Sequence, residues 1–511
     1  MSALTQAGPG PALEPAPAPT AGAPTRVIDV PLVVCGRVRE VGEVAPEDVI
    51  EVPYSGGVVV RMPRLTEADV DAVCAHRELL HDVPLGEVTR YLSAVGPRWM
   101  DADDPGMART VDEVAAVTGY SRPMIERDYR IIGDYLTFRN NFYDLLDAEL
   151  GDHRVTEEWK RNQVSLVRAY PRGRALHVLV GNVPMAGVYS VVRSVLTRNQ
   201  TIAKLPARDL VTTSAFARAL IEANPAGHPL SRSLTVAYWR RDDPLYDRLL
   251  HASDLVCAWG AGASLGALKA RVPHTVPYLE FGPKRSFSVV WADEIEPDAA
   301  ALRLAHDISV YDQEACFSPQ QVFVIGDHRA LVEALCARLD QQAEFLPRGR
   351  STADVDSHVL RARLTGRYRG WEVREGRDWT VMVSDDGSTL LDHPLNRTVV
   401  VHPIADVGEV VGAVDDETQT VAVLPHARAV TVADVVAPRG AVRICEGGLV
   451  SHFRQGFTHD GGYPLRQFVR LVSVDESAEY VHKYGPPMPV EVLETFLFGD
   501  SADRCTNGGS R

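Results

Sequence analysis

Between Arg174 and Ala292 short β-branched runs alternate with amphipathic segments, and no other feature restricts the fold as strongly. The runs are ALHVLV (175–180), TIAK (201–204), SLTVAYW (233–239) and DLVCAW (254–259). Strands that alternate with helices are the signature of parallel βαβ units, because a parallel pair needs a crossover long enough to hold a helix. Between the first two runs, Val188, Val191, Val192, Val195 and Leu196 recur at i, i+3, i+4, i+7 and i+8, which places them on one helix face. A doubly wound α/β sheet is the expected result. After Phe287 the texture repeats: SVVWA, a helix with Leu302, Leu304 and Ala305, a loop around Cys316, QQVFVIG, and a helix with Leu331, Leu335 and Leu339. The expected fold class is therefore α/β, with a boundary between two α/β units near Pro283.

At 511 residues the chain exceeds what one simple core accommodates, and roughly two to four domains or subdomains are expected. The Pro/Ala/Gly-rich stretch 1–25 offers little to bury and reads as a disordered leader without the basic and apolar regions of a secretory signal. Order is expected from Arg26, first as a small β element. There VIDVPLVVCGRV reads as strand, and VIEVPYSGGVVVRMP as a hairpin turning over Ser55–Gly57. Helical patterning follows from an N-cap at Thr66 to about Val167. The expected division is 26–283 for the β element, helical region and nucleotide-binding domain, 284–475 for the domain that carries the Cys316 loop, and 476–511 for a tail suited to oligomerisation.

The formal net charge of −15 (53 Lys and Arg against 68 Asp and Glu) argues against a general nucleic-acid binder or a polybasic membrane-surface protein, so any anionic ligand must be captured locally. The long apolar window Leu176–Val195 is interrupted by His177, Gly181, Asn182, Pro184 and Arg193 and does not read as a membrane span. Seven cysteines, at 35, 74, 257, 316, 336, 445 and 505, form no CxxC pair and are odd in number, which suggests a reducing cytoplasm and neither a disulfide framework nor a metal site.

Open parallel sheets bind ligands beyond the carboxyl ends of their strands, so the loops there are the places to look for chemistry. Cys316 lies in the loop SVYDQEACFSPQQVFV. It reads either as a nucleophile toward acyl carbon, if its surroundings lower its pKa from the free value of ~8.5, or as a small buried hydrophobe. Asn182, between Gly181 and Gly187, is suited to donate to a developing oxyanion or to cap the following helix. Trp259-Gly260-Ala261-Gly262-Ala263-Ser264-Leu265-Gly266 departs from G-x-G-x-x-G, yet its backbone amides suit a phosphate. Lys204, with Arg208 four residues on, suits ribose and phosphate oxygens or a solvated surface. Glu280 is an acid or base at a strand end, or the partner of Lys284 in a surface ion pair.

In order and spacing, Asn182, Lys204, Gly260 to Gly266, Glu280-Phe281-Gly282-Pro283-Lys284 and Cys316 resemble the aldehyde dehydrogenase superfamily. Within it, the chain is similar to the acyl-CoA reductases of the bacterial luminescence (LuxC) type. The segments that carry this are GNVPMAGVYSVVRSVLTRNQTIAK, FGPKRSFSVV, DISVYDQEACFSPQQVFV and HDGGYPLRQFVR, with PLVVCGRV and GEVTRYLSAVGPRW nearer the start. The likeness covers roughly Arg26 to Ser473.

The resemblance implies a Rossmann-type nucleotide-binding domain facing an α/β catalytic domain, and reduction of an acyl thioester to an aldehyde with a nicotinamide cofactor, typically NADPH. By the same likeness Cys316 is the nucleophile, Asn182 the oxyanion donor and Glu280 an acid, base or tunnel residue. Lys204, Arg208, Gly260, Gly262 and Gly266 become the cofactor site, and His459, Asp460 and Arg466 pocket lining. The implied acyl donor is acyl-CoA, an acyl-carrier protein or an acyl-protein synthetase, and the implied assembly a homo-oligomer. Two departures stand out. The Glu that grips the adenosine ribose of NAD is replaced by Ala207, which beside Arg208 points to NADPH. The superfamily's E-x-F-G-P segment has no counterpart, the nearest stretch being Asn396-Arg397-Thr398. The rival readings are an NADP-dependent aldehyde oxidation, with Glu280 activating water, and a non-catalytic thioester-binding protein.

Overall fold

The alternating runs are the central strands of a seven-stranded sheet in the computed structural model, which describes residues 26–77, 80–162 and 165–475. The expected leader and C-terminal tail lie outside the described residues. Across this first sheet the order is Tyr278–Phe281, Leu255–Trp259, Arg174–Val178, Gln200–Lys204, Leu234–Ala237, Leu32–Val34 and Arg37–Arg39. The first five run parallel, and the last two add antiparallel. Strand Gln200–Lys204 is buried at every position, as expected for a parallel strand covered by helices on both faces. Helix Pro184–Leu196 starts with proline in its first turn and buries all five residues of the expected apolar face.

The strand order reverses between Arg174–Val178 and Leu255–Trp259, so the loops that follow these two strands flank a crevice. They are the Asn182 loop and the glycine loop. The chain leaves the first sheet at Phe281 and enters a second seven-stranded sheet at Arg285. Its order is Glu372–Glu375, Thr380–Val383, Thr398–Ile404, Pro319–Ile325, Arg285–Trp291, Thr418–Leu424 and Arg443–Glu446, all parallel but for the antiparallel first pair.

The hairpin expected around Ser55–Gly57 is present, Val49–Tyr54 pairing antiparallel with Val58–Pro63, and Thr66 caps the next helix by accepting from Asp69 N at 3.2 Å. The helical region is shorter than its sequence pattern. Its last α-helix ends at Leu150, and Ser165–Pro171 is a strand paired antiparallel with Val469–Asp475. That pairing joins segments about three hundred residues apart, which no local pattern reveals.

Cys316 sits before its strand, at the amino edge of the second sheet. Helix Pro297–Ser309 ends, and Tyr311, Asp312 and Gln313 then all take left-handed backbone angles, with φ of 53°, 48° and 65°. Each such residue is disfavoured by about 1–3 kcal/mol and persists only where its surroundings over-determine it. The fixings are specific. The Tyr311 hydroxyl bonds Asp128; the Asp312 carboxylate accepts from Gly349 N at 2.9 Å and Arg397 Nε at 2.7 Å; Gln313 donates to the Pro319 and Thr398 carbonyls at 2.8 Å and accepts from Thr398 N at 2.7 Å. Leu395, Asn396 and Arg397 are also left-handed, and Asn396 N donates to Asp312 O at 2.9 Å, so two strained triplets brace each other. Val310, Tyr311, Ala315 and Phe317 pack in the same apolar cluster as Ile125 and Val188, which ties the loop to the helical layer.

Asp312 and Arg397 are 7% and 1% exposed, so deleting one leaves an uncompensated buried charge. Asp312→Ala is expected to lower unfolding free energy by about 3–5 kcal/mol, measured by urea denaturation of the full chain; a loss below about 1 kcal/mol would refute the bracing role.

Candidate functional site

The carboxyl edge of the first sheet meets the amino edge of the second at Cys316, and side chains from both reach the cysteine loop. Asn182 Nδ2 donates to the Glu314 carbonyl at 2.8 Å, two residues before Cys316. Gly181, just before Asn182, lets the loop of Arg208 and Asp209 pack closely, since a Cβ there would lie 2.8 Å from the Arg208 Cβ and 3.0 Å from Asp209 N. The Tyr120 hydroxyl lies 2.7 Å from the Asn182 carbonyl and 2.8 Å from the Glu314 carboxylate. Arg208 pairs with that same carboxylate and places its guanidinium 5.8 Å from the centre of the Tyr120 ring. Ser286 Oγ donates to the Cys316 carbonyl at 2.7 Å and accepts from Thr420 N at 3.1 Å, anchoring the loop to its own sheet.

The Cys316 thiol is half-buried, and its pKa is pushed up to about 11, mainly by burial and then by the negative charge of Asp460. The Gln419 side chain, by hydrogen-bonding the thiol, and the Arg443 guanidinium work in the opposite direction. Arg443 is held in place by donating to the Val450 carbonyl at 2.7 Å and by lying 4.9 Å and 5.4 Å from the Phe453 and Phe457 ring centres. The resting thiol is therefore protonated at neutral pH.

A cavity of about 570 Å³ lies between the glycine helix and the segments that carry Lys284, Glu417 and Asp460. Gly262, Gly266, Glu280, Lys284, Glu417 and Asp460 are among its lining residues. A Cβ added at Gly262 or Gly266 would meet nothing within 4 Å, so this short helix presents bare backbone to open space. Such a surface fits a dinucleotide phosphate. Trp259 and Phe281 stack at 4.1 Å, and His459 sits edge-on to both at 5.2 Å and 4.7 Å. Burial and nearby cations lower the His459 pKa to about 3, which keeps it neutral.

Lys204 ends its strand with Nζ 5.5 Å, 5.7 Å and 5.9 Å from the ring centres of Tyr238, Trp239 and Tyr246. Desolvation, and then the like charge of Arg241, lower its pKa to about 8. Arg241 donates to Ser264 Oγ in the glycine helix at 2.9 Å, so it takes the place beside Lys204 that sequence reading gave to Arg208. Arg208 is instead committed to Glu314, because the loop that carries it turns toward Gly181. Glu280 is exposed and its ion-pair partner is Lys269 at 3.2 Å, not the expected Lys284, which donates to the Asp416 carbonyl at 2.9 Å. Arg466 donates to the Glu149 carbonyl at 2.7 Å.

Sequence reasoning missed Tyr120, Glu314, Gln419, Arg443 and Arg241, and gave Asp460 no more than a lining role. Glu314 stood two residues before the thiol, and Asp460 before a glycine pair. For the others, the signal is purely tertiary. Among the described residues, Asp147, which is exposed, and the half-buried Asp152 and His153 have metal-ligand spacing, but they are remote from Cys316 in sequence. Among the described residues no helix is long and apolar enough to cross a membrane.

Residues 80–471 match the family model "Acyl-CoA reductase (LuxC)". The chain is 33% identical over 473 residues to the long-chain acyl-protein thioester reductase of Aliivibrio fischeri, covering 91% of this chain and 96% of that protein. It is 31% identical over 474 residues to the protein of the same name from Photorhabdus luminescens, covering 91% and 96%. Among solved structures, aldehyde dehydrogenase 21 of Physcomitrella patens superposes with a TM-score of 0.68 at 14% identity, covering 89% of this chain and 99% of that one. The NADP-dependent glyceraldehyde-3-phosphate dehydrogenase of Bacillus halodurans C-125 gives 0.64 at 15% identity, covering 88% and 100%.

Because the folded pKa of Cys316 is raised, its thiolate gains population only as pH climbs toward about 11. Iodoacetamide modification of Cys316, followed by peptide mass spectrometry, is expected to accelerate about tenfold per pH unit from pH 7 to 10, in proportion to the thiolate fraction. A plateau below pH 8 would contradict this electrostatic picture.

Proposed function

This chain belongs to the acyl-CoA reductase (LuxC) family and has the aldehyde dehydrogenase fold, and from that premise we propose that it reduces a long-chain acyl thioester to the aldehyde with NADPH, through an acyl-enzyme on Cys316. The observation that carries this reading is the reach of the Asn182 side chain to the loop of Cys316, in a fold that also holds a cavity lined by bare glycine backbone and by Asp460.

In this mechanism Cys316, once deprotonated, attacks the thioester carbon. The Asn182 amide uses one N–H to hold the Glu314 carbonyl, and its second N–H is available to the oxyanion that develops on the acyl oxygen. Expulsion of the donor thiol leaves the acyl group on Cys316. NADPH, when bound, supplies the hydride that reduces this acyl group. The same oxyanion donors then hold the tetrahedral thiohemiacetal until its carbon–sulfur bond breaks, releasing aldehyde and restoring Cys316.

Gly262 and Gly266 are the residues suited to the cofactor phosphates, and Lys204 to the adenosine ribose. Arg241, hydrogen-bonded to Ser264 near Lys204, is a better candidate for a 2′-phosphate than Arg208, and Ala207 brings no carboxylate to repel one. For the donor, an acyl group carried on a protein is favoured by the names of the relatives, with acyl-CoA as the alternative carrier of the same thioester. An oxidative reaction would use Glu280 to activate water, and its exposed pairing with Lys269 lends that role no support.

The test is to supply NADPH with long-chain acyl-CoA or with an acylated protein, follow loss of nicotinamide absorbance and trap aldehyde. Cys316→Ala is expected to abolish aldehyde formation, and Asn182→Ala to slow turnover about 10²–10³-fold; near-normal turnover in either variant rejects its assigned role. NADPH is expected to give the higher kcat/KM, and equal or better values with NADH would remove the case for a 2′-phosphate site.

A further inference from the structure

The raised thiol creates a problem that the proposed reaction must solve. With a pKa of about 11, about one Cys316 thiol in 10⁴ is ionised at pH 7. A resident proton acceptor is therefore needed beside it. Glu280, the carboxylate singled out from sequence, is exposed and engaged by Lys269. The same cavity is lined by a second carboxylate, Asp460. It is 13% exposed, its backbone is left-handed with φ of 48°, and its Oδ1 accepts from Gln419 Nε2 at 2.7 Å. Gln419 precedes Thr420, whose N–H donates to Ser286 Oγ, and that hydroxyl donates to the Cys316 carbonyl, so the residue that holds Asp460 is tied to the backbone of the thiol; its amide also favours the thiolate.

We propose that Asp460 is the proton acceptor for Cys316 in acyl transfer, with Gln419 as the positioning residue that holds the two groups together; this rests on Cys316 being the nucleophile. The Cys316 S–H bond breaks and its proton passes to the Asp460 carboxylate. The sulfur forms a bond to the acyl carbon, the bond from that carbon to the donor sulfur breaks, and the departing sulfur takes the proton back from Asp460. No electrons are gained or lost. Charge favours this route, because a thiolate formed beside an ionised Asp460 is repelled, whereas moving the proton onto Asp460 keeps the site at a single negative charge.

The groups that face Asp460 set its titration. Burial raises its pKa, while Gln419 and Lys284 lower it. Lys269, Glu280 and Glu417 share the cavity, His459 Nδ1 lies 3.6 Å away, and Arg443 bears on the thiol. Because Asp460 must be anionic to accept a proton, acyl transfer is expected to fall as pH drops through its raised pKa.

The experiment measures acyl-enzyme formation without nucleotide, using the full chain, radiolabelled dodecanoyl-CoA and rapid quench, in wild type, Cys316→Ala and Asp460→Asn. Asparagine tolerates the left-handed backbone and can still accept from Gln419. Asp460→Asn is expected to slow acyl transfer at least about 10²-fold and to erase the acidic limb of its pH profile. In the same variant, the Cys316 alkylation profile is expected to move to lower pH, because a neighbouring negative charge has gone. This opposition is diagnostic: a purely electrostatic or structural role predicts that acyl transfer and alkylation change in the same direction. Acyl transfer in Asp460→Asn as fast as wild type between pH 6 and 9 overturns the proposal. Labelling of Cys316→Ala at the wild-type rate overturns the nucleophile reading and this inference with it, whereas an inert Cys316→Ala beside an unaffected Asp460→Asn overturns this inference alone.

Discussion

Everything at the site depends on the left-handed turn at Tyr311, Asp312 and Gln313, and on the buried Asp312–Arg397 pair that holds it. A chain leaving a helix does not adopt three such residues by local preference. The turn exists because the carboxylate of Asp312 accepts from the Arg397 guanidinium and from Gly349 N, while the amide of Gln313 satisfies the backbone N–H and carbonyl of Thr398. It swings the following residues to the amino edge of the second sheet, where the loop of Cys316 meets the Asn182 side chain from the first. Arg397 lies in Asn396-Arg397-Thr398, the nearest stretch to an E-x-F-G-P segment that the sequence lacks. In this chain, that stretch contributes a buried brace.

The electrostatics around the thiol divide into two networks. On one side, Tyr120, Arg208, Glu314 and Asn182 form a hydrogen-bonded set that spans the two sheets and aims the Asn182 amide at the cysteine loop. Each member fixes another, so the Glu314 charge is neutralised by Arg208 and does not add to the repulsion felt by the thiol. On the other side, Gln419 and Asp460 face the sulfur from the second sheet and the loop that follows it, with Arg443 supplying positive charge. A protonated resting thiol is protected from adventitious alkylation and oxidation, since both need the thiolate. Its activation then depends on a partner within the site.

Two basic residues close together in sequence, Lys204 and Arg208, part company in the fold. Arg208 follows Lys204 by four positions, and from sequence the two look like a single cationic patch. In space, the loop between them turns at Pro206 and packs against Gly181, which carries Arg208 to Glu314. Arg241, from the end of a neighbouring strand, comes to Lys204 because parallel strands bring their carboxyl ends together. The lysine sits among three aromatic rings, where desolvation and a nearby cation loosen its proton.

What the sequence determined by itself was the layout. Strand and helix periodicities placed both parallel sheets, the glycine loop, and the order of Asn182, Lys204, Glu280 and Cys316, because period-2 and period-3.6 patterns and glycine positions are local consequences of burial and backbone sterics. The strand Ser165–Pro171 was not legible, since its partner Val469–Asp475 lies far along the chain. Nor was the choice of carboxylate beside the thiol. Glu280 and Asp460 are both acids near glycine, and only the packing of the His459–Gly462 loop against Gln419 makes one the neighbour of Cys316 while the other pairs with Lys269. Proton transfer depends on distance and desolvation, and these belong to the folded chain.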